Sequence, residues 1–135
     1  ARRSLDLQMF NGFNNPHPWW GPWTNTFGNI ALFMPLGACL VVMGHNSRRI
    51  RFGLGGTILL AMALSLGIEI TQYVFSLGFS DVDDLVFNTL GASLGAFLVS
   101  RSSFKVQLRA VRFIGWTAAA GLGALAAVIL AGVIV

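Results

Sequence analysis

The sequence predicts an all-α fold, a polytopic bundle of four transmembrane helices. Of the 135 residues, 55% are hydrophobic and only 10% are charged, against about 25% in ordinary soluble domains. The apolar residues form runs close to the roughly 20 residues that a membrane-spanning helix needs, without the period-two alternation of barrel strands. This composition excludes a disordered chain, argues against a soluble domain and leaves no length for a separate catalytic domain.

Residues 1–26 are predicted to form an interfacial segment on the outer face of the membrane. Three prolines between positions 16 and 22 argue against a regular helix there. Since the chain does not begin with Met and Arg2 and Arg3 would lie outside, we expect that an upstream segment is missing or was cleaved. Amphipathic indole rings suit the headgroup layer. The expected anchors, which could alternatively form an aromatic platform for a ligand, are Trp19, Trp20 and Trp23.

Residues 27–135 are predicted to form a single four-helix transmembrane domain. The predicted spans are 27–44, 53–77, 85–100 and 113–135. Their short connections favour antiparallel neighbours. In the first span Pro35 is expected to kink the helix on a protein-facing side. The last span is rich in Ala and Gly and carries no ionisable group, which indicates a packing or lipid-facing helix.

The charged residues predict the orientation in a bacterial inner membrane. The gaps 45–52 and 101–112 together hold seven Lys and Arg and no acid, whereas the gap 78–84 holds three Asp. By the positive-inside rule the two basic gaps are cytoplasmic, and 78–84 and both termini lie on the outer side. The basic gaps are too short, and too poor in aromatics, to bind nucleic acid.

Glu69 is the most informative polar residue, because it lies about 12 Å inside the second span, at 1.5 Å per residue. A carboxylate at that depth usually faces the bundle interior and has a partner. Ser65, Gln72 and Ser76 share its helix face. The alternative is a purely structural Glu that fixes helix packing.

The third span repeats this pattern, with Asp84, Asn88, Gly91 and Gly95 on one face. The two glycines permit close approach of another helix, and Asp81 or Asp84 could instead cap the helix N-terminus. In the first span Asn29 lies in the outer half and Gly37 lies near the proline. The polar groups of three spans therefore converge on one depth range, which predicts one site open to the outer leaflet.

Other chemistry finds little support in the sequence. Cys39 is interpreted as a small packing residue, and the two histidines fall on opposite sides of the membrane, so no metal site is predicted. No phosphate-binding loop or Ser–His–Asp arrangement is present. The sequence therefore identifies no cofactor and no nucleophile, and it leaves open whether the chain is an enzyme.

Three motifs in order resemble those of VanZ-like proteins, over about residues 25–100. They are N-x-x-x-F-x-P-x-G from Asn29 to Gly37, E-x-x-Q from Glu69 to Gln72, and D-x-x-D-x-x-x-N-x-x-G from Asp81 to Gly91, followed by Gly95. The resemblance implies a small polytopic membrane protein of the bacterial envelope, in a family whose founding member is associated with teicoplanin resistance. Ser80 departs from the Arg that members often carry there, which puts an ion pair at this turn in doubt.

Two hypotheses follow for the function. In the first, the polar pocket engages a lipid or glycolipid headgroup and affects sensitivity to glycopeptide antibiotics. Glu69, Asp81 and Asp84 would supply charge or hold a cation, while Asn29, Gln72 and Asn88 would orient the ligand. In the second, the chain is a non-catalytic accessory subunit that docks in a larger membrane complex, for example respiratory or photosynthetic. An ion channel is less favoured, because the cytoplasmic half carries no matching polar residues.

Overall fold

The computed structural model describes residues 4–14, 18–76 and 79–134, with the side chains of 7–10, 12–14, 18–76 and 81–132. It contains α1 (Gly21–Asn46), α2 (Leu54–Phe75), α3 (Val82–Ser100) and α4 (Phe104–Ile134), with two short strands, β1 (Ser4–Asp6) and β2 (Phe79–Asp81). All four helices are long and apolar enough to cross a membrane. The predicted all-α transmembrane fold is confirmed. Arg2, Arg3 and residues 15–17 lie outside the described residues.

The first helix begins earlier than predicted, at Gly21 rather than near residue 27. Pro22 lies in its first turn, where a missing N–H costs nothing because that donor has no intrahelical acceptor. The expectation that the prolines exclude a helix here is wrong for this turn, and the boundary drawn at residue 26 falls inside α1. Trp23 is thus a helical residue. The helix also continues through Pro35 to Asn46.

The fourth helix shows the larger difference, since it begins at Phe104 and not near residue 113. The predicted basic loop 101–112 is therefore mostly helical, and only residues 101–103 connect α3 to α4. Lys and Arg are good helix formers, so a charged stretch does not end a helix. With 31 residues, α4 is about 46 Å long, more than the roughly 30 Å hydrocarbon core, and its charged first turns extend beyond the apolar part.

Helix α3 lies against both α1 and α2 and makes its most extensive contact with α1. Glycines allow the backbones of α1 and α3 to approach each other closely. A Cβ added at Gly91 or Gly95 would overlap the backbone of Ile30 or Met34, and one added at Gly37 would overlap the backbone of Ala92. Small residues four positions apart are a common means of close helix approach in membranes.

Helix α4 contacts the bundle through its first turns only. Gln107 is buried, Ala110, Val111 and Ile114 are half-buried, and every described side chain from Gly115 to Gly132 is exposed. Val111 packs on a small core cluster of Val41, Val42 and Ala96. The remainder of α4 is an apolar helix that the described part of the chain does not cover.

The two ends of the bundle differ in charge. We call the end that carries the connection from α2 to α3 the acidic end, because Asp81, Asp83 and Asp84 lie there. We call the end with the connections 47–53 and 101–103 the basic end. At the acidic end β1 and β2 pair in parallel, with Leu5 opposite Ser80. Strands of three residues are too short to show a hydrophobic period, so the sequence did not predict this pairing.

Candidate functional site

The turn that opens α3 is built from two carboxylates. Asp81 has extended backbone angles and is the N-cap residue, and its Oδ1 accepts a hydrogen bond of 2.9 Å from the Asp83 backbone N–H. The Asp81 backbone N–H in turn donates to Glu69 Oε2 at 3.0 Å. Glu69 is only 6% exposed. The buried carboxylate of α2 therefore fixes the residue at which α3 begins.

Asp84 joins α3 to α1. Its Oδ1 accepts a 2.8 Å bond from Asn25 Nδ2 and a 2.6 Å bond from Asn29 Nδ2. Asn25 is exposed and Asn29 is half-buried. Both amides contact the Asp84 carboxylate from the side of α1. Two neutral donors thus take the place that a Lys or Arg would hold in an ion pair.

Asn88 joins α3 to α2 one turn deeper. Its Nδ2 donates to Ser65 Oγ at 3.0 Å, and the residue is 5% exposed. Its Oδ1 is buried and has no hydrogen-bond partner among the described residues. The structure therefore brings four of the predicted residues, Glu69, Asp81, Asp84 and Asn88, to one end of α3 and its neighbours, and Asn29 reaches them through Asp84.

Asp83 belongs to this site although the sequence analysis did not select it. It is 6% exposed, and its Oδ2 accepts a 2.8 Å bond from the Phe10 backbone N–H, 73 positions earlier. Its Oδ1 is buried and lacks a partner in the described part of the chain. The donor is a backbone N–H far away in the sequence, so neither residue type nor spacing could predict this contact. The sequence offered one indication, which is that Asp83 lies in the first turn of α3 after the N-cap residue Asp81.

Aromatic rings hold the N-terminal segment over this end of the bundle. The ring of Phe10 lies 6.1 Å from that of Phe87 on α3 and 6.5 Å from that of Phe13. Phe13 lies edge-on to Trp23 at 5.1 Å, and Trp23 stacks on Phe27. Phe10 has φ 61°, a left-handed conformation that costs a non-glycine residue free energy. Residues 7–14 are thus held beside Asp83 by aromatic contacts, and we call this segment the N-terminal cover.

Four predicted residues take other places. Gln72 borders a groove on the side of α2 that carries Ile68 and Thr71, and its buried Oε1 has no partner in the described ranges. Trp19 and Trp20 are exposed, 73% and 52%, and their role as interfacial anchors stays a prediction. Pro35 borders an apolar groove between α1, α3 and α4.

The cluster is acidic in composition. Four carboxylates lie there, whereas no Lys or Arg occurs between residues 4 and 47 or between 52 and 100. No three of the described His, Cys, Asp and Glu side chains lie where they could hold a metal ion together. The arrangement instead offers hydrogen-bond acceptors: Asp83 Oδ1 and Asn88 Oδ1 are ready for an N–H or O–H donor.

Comparisons with known proteins give the family. The family model described as VanZ/LLP1 matches residues 1–105. Protein VanZ of Enterococcus faecium is 31% identical over 102 residues, which are 76% of this chain and 56% of that protein, so the chain spans little more than half of that relative. No solved structure matches. Since the family model covers more than half of the sequence, the chain belongs to the VanZ/LLP1 family.

Proposed function

We propose that this protein works in the bacterial plasma membrane with its acidic end outward, and that the polar cluster engages the headgroup of a lipid or glycolipid. Through that contact it would change the sensitivity of the cell to glycopeptide antibiotics. The family membership supports an envelope role, and the basic connections support the orientation by the positive-inside rule.

One observation carries the ligand part of the proposal: two buried acceptor oxygens at the same end lack donors. Asp83 Oδ1 and Asn88 Oδ1 have no hydrogen-bond partner among the described groups. Leaving a buried acceptor unpaired costs about 1–3 kcal/mol. A headgroup rich in hydroxyl or ammonium groups would supply the missing donors, and the Asp83 carboxylate favours an ammonium.

Access to the Asp83 carboxylate requires movement of the N-terminal cover. Asp83 is held by the Phe10 N–H, and Phe10 also packs on Phe87. Displacing that segment would expose the Asp83 carboxylate and relieve the left-handed conformation of Phe10. The headgroup would then replace the Phe10 N–H as the donor to Asp83, while Glu69 continues to hold the turn through Asp81.

The test is teicoplanin susceptibility of a Gram-positive host that expresses the protein. We expect the wild type to raise the inhibitory concentration and Asn88→Ala and Glu69→Gln to abolish the increase. Asn46→Ala is the matched control, because Asn46 makes an ordinary bond to the Val42 carbonyl at the basic end. If both cluster variants, at wild-type membrane levels and unfolding midpoints, protect as well as the wild type, the proposed role of the cluster is wrong.

A second candidate is an accessory subunit of a larger membrane complex, favoured by the uncovered face of α4. Gly121, Gly123 and Gly132 have no neighbouring atoms within 4 Å of an added Cβ, and small residues commonly line helix–helix interfaces in membranes. A stoichiometric partner that survives purification in mild detergent would favour this function. In that case Glu69→Gln would weaken assembly and leave teicoplanin susceptibility unchanged.

A further inference from the structure

A groove at the basic end has no role in the function proposed above. It lies where the end of α1, the connection 47–53 and the start of α2 meet, and its volume is about 360 Å³, within the roughly 300–1,000 Å³ of ligand pockets. Its floor is apolar and its rim is polar. The lining residues are Leu40, Met43, Ser47, Arg49, Ile50, Phe52 and Leu60.

The connection that forms one wall of this groove is fixed in place. The Phe52 ring fits against Gly44 of α1 and Gly56 of α2, where an added Cβ would lie 2.6 Å and 2.7 Å from atoms of Phe52. The Phe52 N–H donates to the Gly44 carbonyl, and Ser47 Oγ accepts from the backbone N–H of Arg49 and of Ile50. These contacts fix the position of this wall of the groove.

The charge around the groove is of one sign. Arg48, Arg49 and Arg51 are exposed along the connection, and Lys105 and Arg109 are exposed on the first turns of α4 at the same end. No Asp or Glu occurs between residues 7 and 68 or between 85 and 134. Nothing in these stretches neutralises the arginines, so an anion is the complementary partner.

We propose that the groove binds one anionic phospholipid. Its acyl chain lies along Leu40, Met43 and Leu60, and Arg49 at the rim contacts the phosphate. Arginine near a membrane surface attracts anionic lipids, and basic pockets between transmembrane helices bind their headgroups. The exposed Ile50 and Met43 flank the chain at the boundary between headgroup and hydrocarbon. This inference is independent of the proposed function, because it concerns the opposite end of the bundle.

The test is native mass spectrometry of the full chain in detergent, titrated with phosphatidylglycerol or with phosphatidylcholine of the same acyl chains. We expect the wild type to retain phosphatidylglycerol preferentially. Arg49→Gln should weaken that binding by about fivefold, and Leu60→Trp should weaken it by filling the groove. Inorganic phosphate at the same concentration should not displace the lipid, since it lacks the acyl chain.

Two variants serve as matched controls. Arg109→Gln removes an exposed charge from the same end outside the groove, and Leu59→Trp adds the same ring on the neighbouring exposed position. Both should bind as the wild type does. Equal weakening by Arg49→Gln and Arg109→Gln would show general charge attraction and overturn the site. Undiminished binding by both Arg49→Gln and Leu60→Trp would overturn it as well.

Discussion

At the scale of single residues, Asp84 shows how side-chain amides accommodate a carboxylate between apolar helices. Two side-chain amides of α1, from Asn25 and Asn29, donate to the same oxygen. Hydrogen bonds to a charged group contribute about 1.5–3 kcal/mol each in favourable settings, and more where water is excluded. Asn29 is the better shielded of the two donors and therefore the more important one.

Replacing Asn29 by Leu should lower the free energy of unfolding in detergent by about 1.5–3 kcal/mol, since the Asp84 carboxylate loses its half-buried donor. Asn25→Leu should cost less than about 1 kcal/mol, because water can replace the donor at that exposed position. Denaturant titrations followed by circular dichroism measure both values. Equal losses for the two variants would contradict the assignment of Asn29 as the principal partner of Asp84.

The sequence predicted many of these residues but not their pairing. Glu69, Asp84 and Asn88 were identifiable because a carboxylate or amide at depth in an apolar span is costly and needs a partner. Their partners include backbone groups, such as the Asp81 N–H that bonds to Glu69, and a backbone N–H carries no sequence signature. Asp83 was missed for the same reason, since its partner is the Phe10 N–H.

At the scale of elements, the contact between α1 and α3 depends on the absence of side chains. Gly91 and Gly95 face the backbone of Ile30 and Met34, themselves four residues apart. The spacing of the glycines predicted close approach to another helix, but it could not identify that helix. The pairing with α1 follows from the folded geometry, where Asn29 and Asp84 meet at the acidic end of the same contact.

Gly91→Ala should lower the free energy of unfolding by about 1–3 kcal/mol, because the added methyl group overlaps the Ile30 backbone and forces the two helices apart. Gly121→Ala is the matched control, since an added Cβ there has no neighbour within 4 Å, and it should be neutral or stabilise the helix by up to about 1 kcal/mol. Thermal unfolding in detergent compares them. A neutral Gly91→Ala would contradict the close packing of α1 on α3.

Helix boundaries were the weakest part of the sequence prediction, because two helical stretches were predicted to be non-helical. The sequence predicts that Pro22 prevents a helix, although the first turn of a helix accepts proline. The charge of the stretch from Lys105 to Arg112 predicts a loop, although Lys and Arg side chains can extend from a helix into water along apolar stems. Most of α4 also lies beyond residues 1–105, which the family model matches.

At the scale of the whole molecule, charge separates along the bundle axis. All five acids lie at or near the acidic end, Asp6 through the pairing of β1 with β2. Seven of the nine basic residues lie at the basic end. The basic and the acidic residues have different physical roles. Basic residues govern orientation during insertion, whereas acidic residues contribute little to it. The acids are instead used internally, as acceptors for N–H groups of α1, of the N-terminal cover and of the turn before α3.

This separation predicts the labelling pattern of single cysteines in intact Gram-positive cells. Cys39 is first replaced by Ala, and one cysteine is then placed at an exposed position of either end, Leu7→Cys or Ser103→Cys. A membrane-impermeant maleimide should label the cysteine at position 7 and leave position 103 unlabelled, because basic connections stay in the cytoplasm. After permeabilisation both should react, which controls for accessibility. Labelling of position 103 but not of position 7 in intact cells would reverse the orientation, and the polar cluster would then face cytoplasmic rather than envelope ligands.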